Sequence, residues 1–392
     1  MRTKHMKCLA GVTAVTATVL GLSAVPTAAS GHHEHVVHPG ESIQEAVDAA
    51  RPGDTVVVLP GTYRESVLIT TPGLTLRGTG ERTVLAPQAA GTSAEAPAGT
   101  SAEAPAGTTP AKTTQGAPAA AKGPRAVNAC AAGGNGVCVV GTEKNPVDGV
   151  RIRALTVTGF TKNGVWASRT DGLSVRRVTA RDNGTWGIAQ EHSTRADIRR
   201  NTATGNGDAG IFVANAVNEE GGATDTGGTT IADNAVSGNR IGVTVRRVRN
   251  LLIDDNTITG NCSGIFVVGD ESKPAAGAMT ISGNRIVKNN KLCAATPRLS
   301  AIQGSGIVLT GSESTVVRSN VIQDNAGSTD FSGGILLLKS FVGALNTDNT
   351  VQDNLVSGNS PADLADRDTS GTGNTFVGNT CATSVPAGMC AE

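Results

Sequence analysis

A pair of asparagines five positions apart recurs along the chain, at Asn201/Asn206, Asn234/Asn239, Asn256/Asn261, Asn284/Asn289, Asn320/Asn325, Asn354/Asn359 and Asn374/Asn379. A glycine followed by a β-branched residue keeps step with it, at Gly164-Val165, Gly187-Ile188, Gly210-Ile211, Gly242-Val243, Gly264-Ile265, Gly306-Ile307 and Gly334-Ile335. The shortest spacings between successive first asparagines are 20, 22 and 28 residues, and the longer ones hold extra Gly, Ser and Thr. Such a period marks an array of stacked units. Within a unit, Gly210-Ile211-Phe212-Val213 alternates as a strand, with Ile211 and Val213 on one face and Phe212 on the other. No unit can bury its apolar face alone, so the units must stack, each strand pairing in parallel with its counterpart one coil away. An asparagine at a turn tolerates the left-handed conformation, and its amide can bond its counterparts one coil above and below, at a spacing of roughly 4.8 Å.

Composition agrees with a narrow interior. The 392 residues include 50 Gly but only two Trp, one Tyr and six Phe, so Val, Ile and Leu must form the core. No helical periodicity separates the strands, which disfavours a TIM barrel or a doubly wound sheet. The expected fold is all-β, a single parallel β-helix with a short N-terminal capping helix. Ser42-Ile43-Gln44-Glu45 has the capping-box spacing, and Ile43, Ala46, Val47 and Ala50 form one apolar stripe. With 33 basic and 33 acidic residues, the chain is too neutral for a basic protein that coats polyanions, and no nucleic-acid partner is expected.

Residues 1–29 read as a signal peptide: Arg2, Lys4 and Lys7 precede an apolar run from Cys8 to Val25, and Thr27-Ala28-Ala29 suits cleavage after Ala29 or Ser30. A secreted, extracellular monomer with no membrane association after its signal peptide is cleaved is therefore expected. Residues 30–85 read as the cap and first coils, and 127–392 as β-helix repeats with a C-terminal disulfide cap. Between them, the Ala-, Pro-, Thr- and Gly-rich residues 86–126, with one octapeptide repeated at 91–98 and 99–106, are expected to be disordered. Apart from Cys8 there are six cysteines, an even number suited to an exported chain. Cys130 with Cys138 and Cys381 with Cys390 are close in sequence, and the repeat brings Cys262 near Cys293.

Three segments, Pro39-Gly40-Glu41-Ser42-Ile43-Gln44, Pro52-Gly53-Asp54-Thr55-Val56 and Pro60-Gly61-Thr62-Tyr63, resemble the N-terminal signature of secreted right-handed parallel β-helix proteins. Together with the asparagine pairs, they make the chain similar to the pectate-lyase-like superfamily and its actinobacterial secreted members, over 36–85 and 127–392. The resemblance implies a right-handed β-helix and an extracellular polysaccharide partner. It specifies no reaction, since that superfamily spans lyases, polygalacturonases, mannuronan epimerases and phage tailspikes. The sequence holds neither the DPHD run of the epimerases nor the Asp-Asp and Gly-His-Gly set of the polygalacturonases.

Aligning the coils yields columns of outward residues. Arg153, Arg176 and Arg199 follow the inward Ile152, Val175 and Ile198, with Arg177 and Arg200 beside them. They form a stripe able to grip the carboxylates or sulfates of an acidic polysaccharide, or a solvated face neutralised by Asp171, Asp182 and Asp197. Trp166, Phe212 and Phe266 form a second outward column, to stack sugars or to seat the segments 215–228, 269–277 and 290–303. The candidate catalytic set is His192 as base, with Arg169, Arg246 and Arg247 as carboxylate partners and Glu191 as a substrate contact. Removal of the proton next to a carboxylate, in β-elimination or epimerisation, needs such a base and a cation to stabilise the enolate. No motif fixes a cofactor. Candidate calcium ligands are Asp254 with Asp255, and Asp363, Asp366 and Asp368; His32, His33, Glu34, His35 and His38, in an unstructured end, are a candidate copper or zinc set. The expected function is binding and lyase- or epimerase-like processing of acidic polysaccharide, with a non-catalytic binding scaffold as the alternative.

Overall fold

Each repeat folds into a coil of three short strands. Ser174–Arg176, Thr179–Arg181 and Ile188–Glu191 make one coil, and Asp197–Arg199, Thr202–Thr204 and Ala209–Ala214 the next. Counterpart strands pair in parallel, building a first sheet of 12 strands, a second of 10 and a third of 11. The structure, a computed structural model, describes residues 32–88, 128–217, 221–297 and 299–390. The leader assigned to 1–29 and nearly all of the 86–126 insertion lie outside the described residues, although Ala86 closes the strand Thr83–Ala86. Among the described residues, no helix is long and apolar enough to cross a membrane.

The interior is a stack of aliphatic columns. Ile152, Val175, Ile198, Ile231, Ile253, Ile281, Val317 and Val351 stand in register one coil apart, all buried. At the start of each third-sheet strand the space closes further. A Cβ added to Gly187 would lie 2.6 Å from the Gly210 carbonyl oxygen, and one on Gly264 2.4 Å from that of Gly306. The glycine of each Gly-Ile pair is thus required by the approach of the next coil, not by its own backbone angles.

Two asparagine ladders line the corners. The first runs Asn201, Asn234, Asn256, Asn284, Asn320, Asn354, Asn379. At each rung the backbone N–H and the side-chain amide donate to the Oδ1 of the next asparagine, at 2.9 and 3.0 Å for Asn201 to Asn234. The same amide also donates back to a strand carbonyl, as Asn201 does to Val175. A second ladder runs from Asn183 through Asn206, Asn239, Asn261, Asn289 and Asn325 to Asn359, and ends on Asp363. Two sequence expectations are corrected here. The left-handed residue is the one before each ladder asparagine, such as Arg200, Asp233 or Asp255, because the asparagine side chain is committed inward. Asn374/Asn379 also lies one corner out of register: Asn379 belongs to the first ladder, while Asn374 receives Asn349 before the strand Thr375–Val377. Equal strand lengths produce the same spacing at both corners.

The helix Ile43–Ala49 caps the N-terminal end, as expected, with Ser42 accepting from the Glu45 amide. The carboxylate of Glu65 also accepts from the Ile43 and Gln44 amides, at 2.7 and 3.2 Å. A second, one-turn helix, Ala129–Ala132, was not legible in the sequence. The histidine-rich end is not unstructured: Glu34–Val37 is the edge strand of the first sheet, and His35 Nε2 lies 3.2 Å from the buried Asp54. Amides of Arg51 and His33, also bonded to Asp54, hold its carboxyl well below the usual carboxylate range. All three cysteine pairings form, Cys130–Cys138, Cys262–Cys293 and Cys381–Cys390.

One core position breaks the aliphatic pattern. Gln190 points inward between Ala167 and Val213, fully buried, and both polar atoms of its amide lack partners among the described residues. Gln190→Leu should therefore raise the urea midpoint. Asn234→Ala, which strips an acceptor from Asn201 and a donor from Ile198, should lower stability by about 3 kcal/mol, since each unmet buried group costs roughly 1–3 kcal/mol. Equal midpoints for the two variants would contradict this account.

Candidate functional site

The outward column of the third sheet holds Trp166, Ala189, Phe212, Thr244, Phe266, Val308 and Leu336 in register, one per coil. Much of it is covered. Phe212 is 4% exposed, its ring stacked at 4.1 Å on Trp186, which also stacks on Trp166 at 5.8 Å. Phe266 is 3% exposed, packed with Phe331, Ile302 and Leu299. The Cys262–Cys293 disulfide pins the cover over Phe266, and Arg240 holds it with Nη1 donating to the Ala294 carbonyl at 2.7 Å. Phe212 and Phe266 therefore serve as seats for covering segments and present no open ring face, whereas Trp166 remains half-buried.

A groove of about 740 Å³ remains between the covering segments. Its floor is the outer face of the third sheet at Thr244, Arg246, Phe266, Val268 and Thr310. Asp208, Arg240 and Ile241 form one wall, and Leu299, Phe341 and Val342 line it from the covering loops. Arg247 also lines it and forms a buried ion pair with Asp270, Nε to Oδ2 at 2.5 Å. Arg246 Nη1 donates to the Val217 carbonyl at 3.3 Å. Asp208 Oδ2 accepts from Trp186 Nε1 at 3.0 Å. Burial pushes the Asp208 carboxyl above the usual carboxylate range, outweighing the Trp186 hydrogen bond and the Arg240 charge that pull it down. The Thr244 hydroxyl, buried at the floor, has no partner among the described residues.

The structure divides the candidate catalytic set. Arg246 and Arg247 line the groove; Arg169, His192 and Glu191 do not. Arg169, His192, Asn215 and Arg247 follow third-sheet strands that pair in register, so they succeed one another coil by coil just past the strand ends. Arg169, His192 and Arg247 have positive φ there, which turns the chain toward the first sheet. Glu191 instead supports the groove wall, accepting from the Ser168 hydroxyl at 3.2 Å and the Val217 amide at 3.0 Å. Asp208, Arg240 and Trp186 were not singled out in the sequence. Their spacing from the ladder asparagines was readable, but the cover that buries Asp208 was not.

On the first sheet, Arg153, Arg176 and Arg199 stand in register as expected, and Arg77 extends the column by one coil. Of the expected neutralising acids, only Asp197 serves the stripe, bonding the Nε of both Arg176 and Arg199 at 2.6 Å. Asp171 pairs with Arg195 and Asp182 with Arg181. Among the candidate calcium ligands, Asp363 and Asp368 terminate asparagine columns, accepting from Asn359 and Asn346. Asp254 accepts from the Ser282 hydroxyl at 2.5 Å. Among the described residues, no group of three or more His, Cys, Asp or Glu is placed to hold a metal ion.

A family model described as right handed beta helix region matches residues 126–286 and 222–389. No curated protein matches the chain. Among solved structures, it is similar to the A-module of the Azotobacter vinelandii mannuronan C-5 epimerase AlgE4, with 16% identity and a TM-score of 0.53 over 90% of this chain and 96% of that one. It is also similar to the A-module of AlgE6 from the same organism, with 18% identity and a TM-score of 0.51 over 86% and 88%. The periplasmic alginate epimerase AlgG is similar at 15% identity and a TM-score of 0.51 over 90% and 73%. At these identities the likeness is one of fold.

Because Trp186 Nε1 bonds Asp208 directly, tryptophan fluorescence should report that carboxyl. A titration step is expected with its midpoint above the usual carboxylate range, absent from Asp208→Asn. Since the folded pKa is raised, the associated stability is full below the unfolded pKa of about 3.9 and is lost as pH rises through the folded value. A step that survives in Asp208→Asn would reassign it.

Proposed function

The chain belongs to the right-handed β-helix family, and from that premise we propose that it binds an extracellular acidic polysaccharide in the third-sheet groove and acts on it as a lyase or epimerase. One observation carries the reading: a single groove contains Arg240, Arg246 and Arg247 together with a carboxyl, Asp208, whose proton affinity is raised by burial. The mannuronan and alginate epimerases named above, similar in fold, support the substrate class. The three disulfides support a location outside the cytosol.

In this reading, Arg246 and Arg240 hold the uronate carboxylate by charge-assisted hydrogen bonds and stabilise the enolate formed when the neighbouring C–H loses its proton. Ionised Asp208 accepts that proton, and its raised pKa makes it a better base than an exposed carboxylate. Expulsion of the C4 oxygen, which takes up a proton from Asp208 or water as the C4=C5 double bond forms, completes an elimination; delivery of a proton from water to the opposite face of C5, with Asp208 releasing its own to solvent, completes an epimerisation. Asp208 takes the role first assigned to His192 because His192 does not line the groove. A second reading, binding without turnover, is favoured by the absence of the DPHD and Gly-His-Gly motifs.

Proton NMR of the purified protein incubated with polymannuronate, polygalacturonate and glycosaminoglycans tests both. New unsaturated or C5-inverted sugar signals, lost in Asp208→Asn, are expected. Arg246→Ala should weaken binding by about 10–100-fold, the worth of a hydrogen bond to a charged group. Spectra unchanged across the panel while binding persists would establish the scaffold, and loss of neither binding nor turnover in these variants would remove the groove from the function.

A further inference from the structure

We propose that the outer face of the first sheet is a second binding surface, separate from the groove, that holds a linear polyanionic glycan along the solenoid axis. Arg77, Arg153, Arg176 and Arg199 occupy one outward column on four successive coils, each paired in register with the next. At the strand spacing of roughly 4.8 Å, they place a guanidinium at each step over a run of about 14 Å. The column ends at Ala232 and Asp254, so the patch has a definite length. Arg151 stands beside it on the Arg153 strand, in line with Ser174.

The charge is only partly met within the protein. Arg151 and Arg153 are exposed and have no ion-pair partner among the described residues. Arg77 reaches the exposed Glu34 at 3.4 Å. Asp197 lies between Arg176 and Arg199 and bonds both through Nε and Arg176 also through an Nη, while Arg199 Nη1 lies 3.9 Å from Asp233 Oδ2; each guanidinium keeps a terminal NH2 group outside these contacts. Like charges one strand apart, well inside a Debye length, oppose pairing of the coils that carry them. The first sheet gains nothing from them unless an anion lies across the column. Arginine's planar fork suits carboxylate or sulfate groups bidentately, and successive sugars of an acidic polymer carry such groups at intervals near the coil spacing. The surface requires no chemistry, so it would retain a polymer while the groove on another sheet acts.

The test is titration calorimetry of the full chain with polygalacturonate at several NaCl concentrations. Wild type is compared with Arg151→Glu/Arg153→Glu, the milder Arg151→Gln/Arg153→Gln, and the groove variant Arg246→Ala. Release of counterions from a linear polyanion makes log K fall with log salt in proportion to the contacts made. The Glu pair should lose at least tenfold in affinity and show a shallower slope at a melting temperature no lower than that of wild type, with the Gln pair in between. Arg246→Ala, which removes one groove contact, should lower affinity yet keep a salt slope steeper than that of the Glu pair. Unchanged affinity and slope in both Arg151/Arg153 variants would overturn the proposal and leave the groove reading intact. So would loss of all salt-sensitive binding in Arg246→Ala alone, or tighter binding of single-stranded DNA than of polygalacturonate.

Discussion

Every other feature of this structure depends on coils stacking at the interstrand spacing, and the buried asparagine ladders make that stacking exact in register. A corner of a solenoid turns the chain away from sheet pairing and would leave backbone groups unmet in the interior. Each asparagine supplies an acceptor to the coil before it and donors to the coil after it, so the corner becomes an extension of the sheet. Where the second ladder ends, and where the shorter column through Asn346 ends, only an acceptor is needed, and a carboxylate, Asp363 or Asp368, replaces the amide.

A scaffold made this way leaves its outer faces free to vary, and the two faces described here are used differently. The third sheet carries apolar outward residues, which draw covering segments down onto Phe212 and Phe266 and leave a groove between them. The cover is held by a disulfide and by arginine hydrogen bonds to loop carbonyls. Its presence withdraws water from Asp208 and so changes that residue's acidity. The first sheet carries charged residues outward along its arginine column, exposed at Arg153 and Arg176 and half-buried at Arg77 and Arg199. One face thus forms an enclosed, partly apolar site and the other an open electrostatic track.

Much of the fold was legible from residue spacing. Ile152, Val175 and Ile198 were placed inward and Arg153, Arg176 and Arg199 outward by alternation alone, and the structure has them so. The cysteine pairs followed from nearness in sequence and in coil register. The errors have local causes. Asn374 matched the template because the same spacing arises at two corners. His35 was placed in an unstructured end because nothing nearby in sequence announces Asp54 as its partner. Gln190 was passed over because the strand alternation that sends it into the core carries no record of partners for its amide.

By itself, the sequence determined the coil: short strands with aliphatic residues in, charged or aromatic residues out, and asparagines and glycines where coils meet. Those properties are periodic, and a period survives translation into one dimension. The site was decided only by tertiary structure. His192, Arg169, Arg246 and Arg247 share a sequence logic, yet only the last two line the groove, because its walls come from segments as far apart as Asp208, Leu299 and Phe341. Insertions that differ from coil to coil have no period, so where they land, which ring they cover and which carboxyl they bury depend on packing between residues distant in the chain.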